Sequence, residues 1–96
     1  MKKIDIIGLG NTIIALVNGG AEDYRINDEL RVYVPEASRY IYGNDIDELL
    51  FPLVDIREKF IMSKFMVDAN YSPFTMEDKE TIKILVKKIN SKVREG

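Results

Sequence analysis

The sequence predicts an α+β fold: an antiparallel sheet of four or five short strands in the N-terminal half, with two or three helices from the C-terminal half packed on one face. Residues 1–42 are rich in β-branched and aromatic types, which favour strands. Asn18-Gly19-Gly20 supplies the positive φ that a tight hairpin needs. From Asn44 onward the apolar spacing lengthens to that of a helix. The 96 residues form one domain, 1–96, with no internal repeat, low-complexity segment or dividing linker.

In order along the chain, Ile4, Ile6 and Ile7 read as a strand leading into Gly8-Leu9-Gly10-Asn11, and residues 12–17 as a second, largely β-branched one. Past the glycine turn, residues 23–26 and 30–34 form a hairpin around Asn27-Asp28-Glu29. A three-residue loop gathers Tyr24, Ile26, Leu30, Val32 and Val34 on one face and leaves Asp23, Arg25, Arg31 and Tyr33 on the other. A two-residue loop would mix Arg31 with Tyr24. A one-residue slip inverts every side chain of a strand, so the first register is preferred. Pro35 ends that strand, and residues 39–42 make a short further one.

Asn44 then caps a helix, with Asp45, Asp47 and Glu48 in its first turn where the helix dipole favours negative charge. Pro52 breaks or kinks it, or starts the next helix at its first position. Leu53, Ile56, Phe60 and Val67 share one face, and Leu50, Val54, Ile61 and Phe65 a second. A helix apolar on two sides is buried twice or makes an oligomer contact, so a homodimer is expected. Residues 60–67 fit a strand as well as a helix. In the last element Thr75 and Asp78 resemble a capping box, with Ser72-Pro73 as an alternative start, and Ile82, Leu85, Val86, Ile89 and Val93 recur at helical spacing.

The chain has no histidine, cysteine or tryptophan. That removes Ser-His-Asp and Cys-His catalysis, zinc fingers, His-ligated metals and disulfides. Catalysis would rest on carboxylates, lysines, tyrosines and hydroxyls, and none of the 16 acids sits in a context that suggests paired acid/base work. A net charge of −2 implies neither a polyanion nor an acidic membrane as partner. The amino terminus lacks the uninterrupted apolar stretch of a signal peptide, and no run reaches the roughly 18 apolar residues of a membrane span. With no cysteine, a cytoplasmic location is expected.

Gly8-Leu9-Gly10 after an isoleucine-rich segment suggests a phosphate-binding turn, but the third glycine of that fingerprint falls on Ile13, and a hairpin bend explains the same residues. Asp45, Asp47 and Glu48, following Asn44, could ligate a hard cation, yet EF-hand spacing is not met and capping with dipole matching accounts for all four residues. No cofactor and no metal ion is expected. Lys79, Lys83 and Lys87, continued by Asn90 and Arg94, form a stripe that suits nucleic acid or, more simply, the solvated face of an amphipathic helix.

The candidate partner-binding set is Arg25, Arg31, Tyr33, Arg39, Tyr40 and Tyr42, with Tyr24 alongside. Tyr and Arg are enriched in interface hot spots because each combines contact area with a directed polar group. The expected function is that of a small non-enzymatic binding protein acting through protein–protein contacts. It would serve as an inhibitor, adaptor or assembly factor, by analogy with inhibitors that phages and plasmids encode. The alternative is a nucleic-acid or nucleotide-ligand binder using Lys79, Lys83, Lys87 and Arg94 or the Tyr/Arg-rich sheet.

Overall fold

A computed structural model describes residues 1–63 and 73–96. Every regular element among them is helical, so the predicted antiparallel sheet, and with it the α+β class, is replaced by an all-α fold. Helix α1 spans Lys3–Asn18, α2 Asp23–Ser38, α3 Phe51–Ser63 and α4 Met76–Glu95. A π-helical turn, Ile46–Leu50, runs directly into α3. Helix α1 packs most extensively on α4 and then on α2, while α3 leans mainly on α2. Among the described residues no helix is long and apolar enough to cross a membrane.

Helix α1 overrides its β-branched composition because burial outweighs propensity. Ile6, Gly10 and Ile13 face the core at i, i+4, i+7, flanked by half-buried Ile7, Leu9, Ile14, Leu16 and Val17. A β-branched residue costs a helix about half a kcal/mol, whereas burying one isoleucine contributes about 1.5–3 kcal/mol. The Asn18-Gly19-Gly20 turn does form, but between helices. Ala21 N–H donates to the Leu16 carbonyl at 2.9 Å and Gly20 N–H to the Val17 carbonyl at 3.1 Å, with Gly20 at φ +73°. This is a Schellman ending, whose left-handed residue is best supplied by glycine.

Helix α2 corrects the hairpin register. Ile26, Leu30, Tyr33, Val34 and Ala37 are buried at helical spacing. Tyr24 and Val32, assigned to the apolar strand face, are 50% and 36% exposed, while Tyr33, assigned to the outer face, is 0% exposed. Pro35 lies inside α2 instead of ending a strand. It removes the amide that would bond the Arg31 carbonyl, but it does so in the last turn with its ring in solvent. Residues 39–42 are a turn and not a strand: Tyr40 N–H reaches the Ala37 carbonyl at 3.0 Å, Ile41 N–H the Ser38 carbonyl at 3.3 Å, and Gly43 reverses the chain at φ +60°.

At Pro52 the helix widens without breaking. Proline has no N–H for the Glu48 carbonyl, and the turn before it expands so that Phe51 N–H bonds Ile46 five residues back. The wide turn carries Leu49 and Leu50 into the core, joined by Leu53 and Ile56 from α3. Residues 60–63 are helical; Phe65 and Val67, like Ser72, lie outside the described residues.

Helix α4 agrees with its sequence pattern. Asp78 N–H donates to Thr75 Oγ1 and Thr75 N–H to Asp78 Oδ2, each at 3.0 Å, completing the capping box. Ile82, Leu85, Val86, Ile89 and Val93 are all buried.

Candidate protein-interaction surface

Residues of α2 advance about 100° each around its axis, so Tyr24, Asp28, Arg31 and Pro35 fall along one line, with Arg25 and Val32 beside it. All six are exposed, and the line runs about 16 Å along the helix at 1.5 Å per residue. Arg25 and Arg31 make no ion pair among the described residues. Of the predicted binding set, Arg25 and Arg31 thus share this face. Arg39 continues it from the helix end and pairs with Glu36 at 3.8 Å. Tyr42 stands exposed beyond the helix, its hydroxyl donating to the Arg39 carbonyl at 2.7 Å. Tyr40 is half-buried, with Lys3 Nζ 5.2 Å from its ring centroid in a cation–π contact. Tyr33 is not on the surface at all. Val32 and Pro35 join the face through helical spacing that the strand reading hid.

The inner side of α2 is fixed by polar contacts with α3, with α4 and with the segment that leads into α4. The Tyr33 hydroxyl donates to Asn90 Oδ1 at 2.7 Å and lies 3.3 Å from the Val86 carbonyl. Burial pushes the pKa of that hydroxyl well above the ordinary tyrosine value. Asn27, also buried, accepts from Arg57 Nε of α3 at 3.3 Å. At the start of α2, Asp23 accepts from Phe74 N–H at 3.2 Å and pairs with Lys79 at 3.5 Å. The outer face is therefore presented on a helix anchored to α3 and α4.

The lysine stripe of α4 is divided. Lys79 is paired with Asp23, and Lys83 with Glu80 at 2.8 Å while donating to Asn18 Oδ1 at 3.1 Å. Lys87 and Arg94 are exposed without ion pairs among the described residues. Between the end of α1 and the start of α4 lies a cleft of about 220 Å³ lined by Val17, Asn18, Met76, Lys79, Glu80 and Lys83. It is smaller than the roughly 300–1,000 Å³ of ligand pockets, and its lysines are already engaged.

Gly8-Leu9-Gly10 lies in the interior of α1, so neither the hairpin bend nor the phosphate-binding turn forms. Amides at that depth in a helix bond carbonyls four residues back and offer nothing to a phosphate. Gly10 serves packing: a Cβ there would stand 2.5 Å from Asn90 Oδ1. Of the acidic cluster, Asp45 pairs with Lys92 at 3.5 Å, while Asp47 and Glu48 are exposed on the π-helical turn.

No family model matches the sequence, and neither a characterised protein nor a solved structure is significantly similar to it.

Proposed function

We propose that this chain is a small non-enzymatic binding protein that acts by occupying the surface of another protein, as an inhibitor, adaptor or assembly factor. The observation that carries this reading is the outer face of α2. Tyr24, Arg25, Arg31 and Val32 stand exposed together on a helix whose opposite side is locked in the core. Tyrosine and arginine are the types that dominate binding energy at interfaces. A pre-ordered helix loses little conformational freedom on docking, which conserves affinity. Two arginines with no carboxylate partner among the described residues are available to carboxylates or carbonyls of another protein. The cysteine-free composition suits the cytoplasm, which this reading takes as its compartment.

The test compares the tagged chain with its Tyr24→Ala/Arg31→Ala variant as baits under identical conditions, with quantitative mass spectrometry. A partner captured by the first and lost from the second is then purified and titrated. The expected result is a Kd at least about tenfold weaker for the variant, with unchanged helicity. Equal affinity for both baits would refute the assignment of this face.

A further inference from the structure

Building on the reading of α2's outer face as an interaction surface, we infer that its partner is a second copy of this chain, docked through the outer face of α3. On α3, Phe51, Asp55, Glu58 and Met62 repeat the spacing of Tyr24, Asp28, Arg31 and Pro35 on α2, giving two straight stripes of equal length, about 16 Å. All four α3 residues are exposed, Phe51 at 52% and Met62 at 64%. Asp55 and Glu58 make no ion pair among the described residues, and exposed Asp47 and Glu48 extend the negative charge onto the preceding turn.

The two faces are complementary in charge and alike in apolar content. The α3 stripe has apolar ends and an anionic centre. The α2 face sets Arg25 and Arg31 among Tyr24, Val32 and Pro35, and Asp28 between the arginines leaves it net positive. Opposed potentials steer and orient the docking, while the apolar residues supply burial. The basic end of α4 is a poorer match, because Ile84 is the apolar residue exposed among Lys87, Lys88 and Arg94. Helices α2 and α3 pack side by side, tied by Arg57 to Asn27. A two-fold axis that sets α2 on the second copy's α3 sets α3 on its α2 as well, so both contacts form together and close the assembly as a dimer.

Sedimentation equilibrium of the full chain tests this with two charge-reversed variants, Arg25→Glu/Arg31→Glu and Asp55→Lys/Glu58→Lys. The wild type is expected to dimerise in the micromolar to millimolar range, and added salt should weaken the dimer. Each variant alone should dimerise at least about tenfold more weakly, and an equimolar mixture of the two should restore the dimer, because both contacts regain opposite charge. Circular dichroism checks that each variant keeps its helices. If one does not, Arg31→Gln and Glu58→Gln replace the reversals, each expected to weaken the dimer by a smaller factor. A wild type that stays monomeric into the millimolar range overturns the inference, as does a dimer indifferent to both reversals. Should the monomeric wild type still lose a captured foreign partner on Tyr24→Ala/Arg31→Ala, the second copy is refuted and the α2 interface stands.

Discussion

Tyr33 and Asn90 meet at the centre of the bundle, the tyrosine hydroxyl donating to the asparagine Oδ1 at 2.7 Å although 57 positions separate them. Asn90 in turn donates through Nδ2 to the Ile7 carbonyl at 3.1 Å and lies 3.4 Å from Asn11 Oδ1. Two side chains thus tie α1, α2 and α4 together, and no buried side-chain polar atom is left without a partner among the described residues. A satisfied buried network of this kind selects one packing of three helices, because sliding any of them strands a polar group.

Removing either end should be costly. Tyr33→Phe leaves the Asn90 oxygen short of its donor and is expected to lower stability by about 1–3 kcal/mol in urea titration. Gly10→Ala should also destabilise: alanine is the better helix former by about 1 kcal/mol, but its Cβ would collide with the Asn90 side chain, and overpacking costs about 1–3 kcal/mol. A stabilised Gly10→Ala variant would show that Asn90 can move away freely.

Tyr33 also gives a signature at high pH. Its folded-state pKa lies above the unfolded value near 10, so the unfolded chain ionises first. The stabilisation is complete below pH 10 and is lost as pH rises from there towards the folded pKa. Thermal melts of the wild type and Tyr33→Phe across that range should converge, because the variant lacks the ionising hydroxyl. A constant gap between them would mean that Tyr33 is not buried.

Asp78 gives the opposite sign at low pH. Burial disfavours its charge, but the Thr75 amide, the Lys59 ammonium at 3.0 Å and the Thr75 hydroxyl outweigh that and hold its pKa below the ordinary aspartate value. The stabilisation is present above pH 4 and is lost as pH falls through the folded pKa. Asp78→Ala should cost about 1–2 kcal/mol at neutral pH and flatten the acid limb of the stability curve.

On α4, Leu85→Ala should cost about 2–5 kcal/mol by opening a cavity against the other helices. Replacing Lys87 and Lys88 with glutamine should leave stability within about 0.5 kcal/mol, since both are exposed and unpaired among the described residues. Comparable losses from the two changes would place α4 in the wrong rotation.

Helix α4 was legible because its signals are local: the Thr75 and Asp78 pair sits three residues apart, and the apolar repeat runs for three turns without a competing period. The Gly19-Gly20 turn was legible for the same reason, although not which elements it joins. Helix α2 was misread through an ambiguity of spacing. Ile26, Leu30 and Val34 lie four apart, which suits both a strand alternating by two and a helix turning in 3.6. Tyr33 and Ala37, odd-numbered and buried, break the tie against Tyr24 and Val32. Gly10 could not be understood locally, because Asn90, which excludes a side chain there, comes from the far end of the chain. The α2 face was half-visible: Arg25 and Arg31 stood out by type, while Tyr33 was drawn outward by the false strand.

The most direct measurement uses the absence of native cysteine, which makes every introduced thiol unique. Val32→Cys and Val34→Cys are two positions apart, so a strand would put them on the same face, whereas a helix turns them about 200° apart. Thiol-labelling rates under native conditions should differ by about a hundredfold or more, with residue 32 open to reagent and residue 34 exposed through unfolding. That result places Tyr24, Arg31 and Val32 on a helical outer face available to a partner. Equal rates at the two positions would contradict it.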